Sequence, residues 1–207
     1  MGPLLHLAEV DSTQAFLRRH PELGACTVLA DCQTEGRGRQ GNRWESASGE
    51  GLWMSMRRGP VEGVAPGLIL QRAMAAAARV LDPQGQVLGL KWPNDLVAWK
   101  DGTLVKLGGI IGEQLDGWLV LGLGVNLSAA PALVGQAFPA AAVADLGLPI
   151  SAPRTLAAAI AEAWQDLAQD TAPRWRWPEA GVPLVWEEGQ GTCLGWEPDG
   201  RLKVTTA

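Results

Sequence analysis

Two Asp-Gly dipeptides, Asp101-Gly102 and Asp116-Gly117, constrain this chain more than any other local feature. Asp-Gly accepts the positive φ angles of a type I′ turn, whose twist matches that of the strands it joins. The surrounding runs Asp95–Trp99, Leu104–Glu113 and Trp118–Asn126 are therefore predicted as strands of adjacent hairpins. Further strands are expected at Leu4–Glu9, Cys26–Asp31 and Leu52–Met56. The last puts Leu52, Met54 and Met56 on one face and Trp53 and Ser55 on the other. Val87–Trp92 reads as a strand broken at Pro93.

Helices are fewer. Asp11 and Ser12 are good caps for a helix running to Arg19, Pro66 opens an Ala-rich helix to about Leu81, and Pro153 begins another through about Gln169. Residues 128–150 are rich in Ala and Pro and read as loop. Strand groups separated by helices predict an α+β fold, a mixed and mostly antiparallel sheet backed by helices. Trp175, Trp177, Pro178 and Pro183 mark a boundary, giving a main domain over residues 1–178 and a reduced β segment over 179–207. Within that segment Pro198-Asp199-Gly200 signals about one hairpin.

Several function classes are disfavoured. A formal net charge of -5 argues against general nucleic-acid binding, and too few residues precede Asp11 for a helix-turn-helix, so no DNA partner is expected. The apolar stretch Met74–Ala78 is too short for a bilayer and no secretory signal opens the chain, so a cytoplasmic location without membrane contact is expected. Cys26, Cys32 and Cys193 form no C-x-x-C pair, and His6 and His20 are the only histidines. A structural metal or a Ser-His-Asp triad is thereby disfavoured.

The strongest chemical signal is the stretch Glu35-Gly-Arg-Gly-Arg-Gln-Gly-Asn-Arg-Trp-Glu-Ser46. Gly36, Gly38 and Gly41 are expected to bend the backbone through φ > 0 and expose its N–H groups, while Arg37, Arg39 and Arg43 offer forked donors to carboxylate or phosphate. The alternative is a solvated basic turn. The glycine spacing also satisfies a dinucleotide-binding pattern, but no helical register follows it. Lys91-Trp92-Pro93-Asn94-Asp95 joins a cation to two oxygen-bearing side chains at a strand end, suited to phosphates or a divalent ion, or else to a capped surface turn. Lys106-Leu107-Gly108-Gly109-Ile110 sets a lysine beside glycines that leave a bound carboxylate room to approach. Gly122-Leu123-Gly124-Val125-Asn126 is a second strand of close approach, or of tight packing.

In this order the segments resemble the catalytic domain of biotin–protein ligases over roughly residues 5–170. Gly36–Trp44, continued by Trp44-x-Ser46-x-x-Gly49-x-x-Leu52-x-x-Ser55, resembles the family's biotinyl-adenylate loop. The segments at 91–95 and 106–110 resemble its second and third signatures, and Glu9–Thr13 and Gly122–Asn126 its weaker blocks. The resemblance implies a class II synthetase-like biotin/lipoate ligase fold with a truncated C-terminal SH3-like segment. It implies that Ser12, Thr13, Gln33, Gly36, Arg37, Arg39, Trp44, Lys106 and Gly109 contact biotin or its adenylate. Arg39, Asn94, Asp95 and Asn126 would serve ATP, with Asp95 at Mg²⁺, and Lys106, Arg39 and Arg37 would be catalytic. The implied acceptor is a biotin carboxyl carrier protein or domain of acetyl-CoA carboxylase or a related carboxylase. Two departures stand out: Asn42 where the family loop often has arginine, and the short C-terminal segment.

The chemistry suits such residues. A carboxylate ionised at pH 7 attacks an α-phosphorus without a general base, provided guanidinium and ammonium groups offset its repulsion with the triphosphate. Within the same fold, a lipoate–protein ligase or an octanoyl transferase is the alternative, and the transferase would need a nucleophile such as Cys32. A biotin-sensing repressor and an inactive ligand-binding module are the others. A homodimer through a sheet edge and a monomer are both open.

Overall fold

The computed structural model describes residues 2–132, 138–168, 176–186 and 189–206. Three helices, α1 (Thr13–Arg19), α2 (Pro66–Leu81) and α3 (Pro153–Ala163), accompany eleven strands among the described residues. Strands β1 (Leu4–Val10), β2 (Cys26–Gln33), β3 (Gly51–Arg58), β4 (Gly89–Lys91), β5 (Asp95–Lys100), β6 (Thr103–Leu115), β7 (Trp118–Asn126) and β8 (Arg176–Trp177) form one sheet in the order β1-β2-β3-β7-β6-β5-β4-β8. The outer pairs β1–β2 and β4–β8 are parallel and the rest antiparallel, the mixed and mostly antiparallel sheet expected. Both Asp-Gly turns form with φ positive at both residues: 49° and 75° at Asp101-Gly102, 49° and 79° at Asp116-Gly117.

The strands sort their side chains by alternation. On β3, Leu52, Met54 and Met56 join Leu119, Leu121, Leu123 and Val125 of β7 in the main core, against α2 and α3. The opposite face receives α1, whose Leu17 packs with Val28 and Val120. Arg57 of β3 is 2% exposed and ties α1's end to the sheet, donating to the carbonyls of Leu17, His20 and Gly24. Its charge is spread over backbone oxygens, so this arginine is structural.

Three expectations need correction. Helix α3 stops at Ala163, short of the expected end (Gln169 itself lies outside the described residues). Trp164 buries its ring and donates Nε1–H to Ala73 O at 2.8 Å. The Trp164 and Leu167 carbonyls then accept from Arg58 and Arg72, which satisfies the chain where the helix ends. The stretch 128–150 contains a 3-10 turn, Val143–Leu146, and a bridge from Ala140 to Lys106; residues 133–137 lie outside the described ones.

The C-terminal segment carries three strands, not one hairpin: β9 (Pro183–Trp186), β10 (Gly189–Trp196) and β11 (Leu202–Thr206), ordered β11-β10-β9. Trp175 in the expected boundary lies outside the described residues, while Trp177 closes the main sheet in β8. The Gly200 carbonyl of the β10–β11 turn accepts from Gln71 Nε2 at 2.5 Å and Trp92 Nε1 at 3.2 Å. The small sheet therefore touches both α2 and the β4–β5 turn. Among the described residues no helix is long and apolar enough to cross a membrane.

Candidate active site

On the α1 face of the sheet, alternation and small residues produce a floor. Ser55 lies opposite Gly122, Trp53 opposite Gly124, and Gly51 opposite Asn126, while Ile111 and Gly109 of β6 lie opposite Gly122 and Gly124. Glycine at 124 is required here, because a Cβ would stand 2.7 Å from the Trp44 indole. That indole lies edge-on to Trp53, with ring centroids 6.2 Å apart. It divides the floor into an inner and an outer pocket that share Trp44, Gly109 and Ile111.

The inner pocket is neutral apart from Arg37 at its rim. Ser12, Thr13, Gln14, Gln33, Ser55 and Gly122 line it, and its free volume is about 30 Å³. Ser12 caps α1 through Ala15 N at 3.4 Å, which presents the first turn to the sheet. Gln33 Oε1 accepts from Thr13 N at 2.9 Å and Thr13 Oγ1 at 3.1 Å. With its proton so used, Thr13 Oγ1 accepts from Ser55 Oγ at 2.8 Å. Gln33 Nε2 donates in turn to Ser46 Oγ at 3.1 Å, which links the relay to the loop. Asp11 anchors the approach to α1: Arg19 grips both its oxygens, at 2.6 and 2.7 Å, and holds its carboxyl at a pKa of about 2.

The outer pocket is larger, about 440 Å³, and charged. Arg39, Asn94, Asp95, Lys106 and Asn126 all line it. Strict alternation would put Lys106 and Gly109 on opposite faces of β6. A bulge in the β5–β6 register, where Leu96 pairs with Gly108 but Val97 with Lys106, brings them to the same face. Leu107 and Ile110 turn to the core. Lys106 Nζ meets Asp95 Oδ1 at 2.7 Å and lies 5.6 Å from the Trp44 ring centroid. Asp95 Oδ2 accepts from Lys91 Nζ at 3.2 Å, so one carboxylate faces two ammonium groups. Arg39 donates to Asn94 Oδ1 at 3.2 Å, and Asn94 Nδ2 donates to Ile110 O at 2.7 Å. Asn126 is held through Nδ2 to Ala141 O at 3.2 Å, which leaves its buried Oδ1 without a partner.

The glycine–arginine loop is a tight hairpin. Arg37 and Arg43 form a bridge, Gly38 N donates to Asn42 O at 2.7 Å, and Trp44 N to Gly36 O at 2.8 Å. Of the three glycines only Gly41 has positive φ (77°), together with Gln40 (56°). Gly36 serves by close approach, since a Cβ there would lie 2.4 Å from Trp44 O; it lines neither pocket. Arg43 reaches back to Thr34 O at 3.3 Å. Sequence reasoning missed Gln14 and Ile111 as lining residues; it set Gly122 on a strand of close approach and Ser55 at the end of the loop's pattern, without making either a pocket residue. The alternation of β3 and the paired glycines of β7 carried the signal for the last two.

Residues 8–127 match the family model described as the biotin/lipoate A/B protein ligase family. The chain belongs to this family. The match contains α1, the glycine–arginine loop and both pockets' strand residues up to Asn126. Among curated relatives, the bifunctional ligase/repressor BirA of Escherichia coli is 35% identical over 138 residues, 61% of this chain and 41% of that protein. The biotin--[acetyl-CoA-carboxylase] ligase of Mycobacterium tuberculosis is 34% identical over 155 residues, 69% of this chain and 55% of that protein. The chain thus spans about half the length of these relatives. In fold it resembles the biotin protein ligase of Aquifex aeolicus in complex with biotin and ATP, with a TM-score of 0.75, 22% identity and coverage of 100% of this chain and 97% of that one. The Leishmania major biotin protein ligase in complex with biotinyl-5-AMP gives 0.69 at 24% identity, covering 99% and 95%.

Proposed function

We propose that this family member is an ATP-dependent biotin–protein ligase. The observation that carries the reading is the pairing of a hydrogen-bonding inner pocket with a cationic outer pocket across Trp44 and Gly109. A ring bearing hydrogen-bonding groups suits the first and an acyl phosphate with its nucleotide suits the second. The 34% identity to a relative named biotin--[acetyl-CoA-carboxylase] ligase supports the same assignment.

In the first half-reaction the biotin carboxylate attacks the α-phosphorus of ATP, pyrophosphate leaves, and biotinyl-5′-AMP results. Ser12, Thr13 and Gln33 hold the ring, with Gly36 and Arg37 at the loop's base. Lys106 and Arg39 lie where negative charge gathers, and preorganised cations of this kind lower the barrier without a proton transfer. Lys106 reaches the anion by exchanging its Asp95 partner for it, and Lys91 stays on Asp95. Asn94 orients the Arg39 guanidinium, and the free Asn126 Oδ1 offers an acceptor to the base's amino group. In the second half-reaction a lysine amine of a biotin carboxyl carrier domain attacks the anhydride carbonyl and AMP leaves.

A resident Mg²⁺ at Asp95 fits these residues poorly. Both carboxylate oxygens already meet ammonium groups, and among the described residues no three His, Cys, Asp or Glu side chains cluster. A divalent ion would arrive on the triphosphate, where it supplies charge neutralisation. We place residues 1–178 in the catalytic unit and 179–207 in an accessory one, in the cytoplasm and without a DNA partner.

The transferase alternative requires a thiol at the reacting carbonyl. Cys32 instead directs Sγ to Ser46 O at 3.6 Å and lines neither pocket. Mixing the protein with biotin, ATP and a carrier domain should add one biotin to the acceptor, read by intact-mass measurement, and Cys32→Ser should do so equally well. No mass gain with a competent acceptor overturns the reading, and acyl transfer lost in a folded Cys32→Ser protein favours the transferase.

A further inference from the structure

The turn that carries Asn94 and Asp95 is fixed by the sheet only at its base, where Lys91 pairs with Asp95 at the end of the three-residue strand β4. On its inner side Asn94 holds it to β6: Nδ2 donates to Ile110 O at 2.7 Å, and the Asn94 carbonyl accepts from Ile110 N at 3.0 Å. On its outer side the C-terminal chain takes hold of Trp92 twice. The Trp92 backbone N–H donates to Trp177 O at 2.8 Å, and its indole Nε1–H donates to Gly200 O at 3.2 Å. Trp92 is 36% exposed, so burial alone does not account for its place. Gly200 is itself anchored. Its φ is 86°, its N–H donates to Glu197 O at 2.9 Å, and its carbonyl also accepts from Gln71 Nε2 of α2 at 2.5 Å. The Gly200 carbonyl is thus a post fixed to α2 on which the turn leans. Neither Trp92 nor Gly200 lines either pocket.

We infer that Trp92 is a positioning residue for the adenylation step, acting through its hydrogen bond to the Gly200 carbonyl. The inference rests on the biotin–protein ligase reading and deepens it. Two residues after Trp92, Asn94 Oδ1 accepts from Arg39 at 3.2 Å. One residue further, Asp95 holds Lys106 at 2.7 Å and Lys91 at 3.2 Å. A shift of this turn therefore moves the partners of both cations assigned to the reacting phosphate at once. Misplacing a reacting group by about 1 Å can cost about 100-fold in rate, so a brace that touches no substrate can still govern the step. The inner pocket takes none of its lining residues from this turn, so the hold on the biotin ring is independent of the brace. In this way a backbone carbonyl of the small C-terminal sheet contributes to the reaction from outside the site.

The test measures two quantities on the full chain: pyrophosphate release at saturating biotin with ATP varied, and biotin affinity by calorimetry. Trp92→Phe keeps an aromatic ring and removes the donor. It should lower kcat/KM for ATP about 5- to 20-fold and leave biotin affinity within about twofold of wild type. Gly200→Ala places a Cβ 2.9 Å from Gln71 Nε2 at a backbone angle that favours glycine, which displaces the carbonyl. It should shift the ATP step in the same direction, again with biotin affinity kept. The double variant should be no worse than the poorer single one, because both act through one bond. Unchanged release in both folded single variants overturns the inference. A loss in Trp92→Phe with none in Gly200→Ala also overturns it, since Trp92 would then act without the turn. So do losses that multiply in the double variant, or biotin affinity that falls in step with release, which would mark a general loosening of the fold. If the wild-type chain releases no pyrophosphate from ATP with biotin, the ligase reading itself fails, before any variant is compared.

Discussion

The inner and outer pockets share Trp44 and Gly109 yet are built of different materials. The inner one is framed by a helix N-terminus and central strands, with short neutral side chains locked in the relay from Ser55 to Thr13, Gln33 and Ser46. The outer one is framed by a loop, a turn and a bulge, with long charged side chains paired to one another. Rigid neutral groups discriminate between ligands, because leaving one unpaired costs binding energy. Charged groups on longer stems exchange partners as charge develops, which suits them to a reaction. Under the proposed function, inner-pocket substitutions should change KM, and outer-pocket ones should change kcat.

Lys106→Ala is the sharpest attempt to break this division. Removing the ammonium should slow adenylate formation about 100-fold or more, with little change in biotin affinity. Pyrophosphate release with biotin and ATP measures the first quantity and calorimetry the second. Near-normal release removes Lys106 from the chemistry. Arg39→Ala should be milder, about 10-fold in adenylate retention, because Arg39 shares its task with Lys106 and holds the loop to Asn94 at 3.2 Å. Its loop should also stay open to protease between Gly36 and Gly51 when ligands are added, whereas the wild-type loop should gain protection.

Thr13→Val tests the other side. The substitution keeps the shape of the side chain but breaks the relay, leaving the Ser55 hydroxyl without its acceptor. A buried polar group losing its partner costs about 1–3 kcal/mol, so KM for biotin should rise severalfold or more and the melting temperature should fall, with kcat near wild type. A fall in kcat with unchanged KM would mean that the two pockets are not separable in this way.

The same contrast explains which features the sequence made legible. Local rules found the Asp-Gly hairpins, helix α2 from Pro66 to Leu81, and the two faces of β3, because each is decided by neighbours in the chain. The segments that supply most of the pocket-lining residues were picked out by residue type and order. Partner choice was not, since it depends on distant elements: the parallel pairing of β1 with β2, the third strand after Pro183, and Asp95 shared by Lys91 and Lys106. The bulge at Leu107 was equally hidden, although it decides that Lys106 and Gly109 face one pocket. A period-2 reading of that strand separates them. Gln14 escaped notice because a glutamine beside a cap residue is ordinary in sequence, and only its burial makes it unusual.

The smallest expected effect concerns the anchor of the inner pocket. Asp11 is held by Arg19, and its carbonyl accepts from Glu35 N at 2.7 Å, so it pins both the start of α1 and the entry to the loop. Arg19 lowers the Asp11 pKa from 3.8 to about 2 in the folded chain. A carboxyl depressed on folding stabilises the fold fully above its unfolded value, and this contribution fades as pH falls through the folded value. Asp11→Asn should therefore cost stability at pH 6, and the difference from wild type should shrink between about pH 4 and pH 2. The side chains of Arg19 and Asp11 are 52% and 32% exposed, so solvent screens the pair and the cost should stay below about 1 kcal/mol. High salt should shrink it further. Denaturant midpoints of both proteins across that pH range provide the measurement. A difference that persists unchanged at pH 2 would show that Asp11 acts through its backbone geometry at the helix start, with no measurable part for its charge.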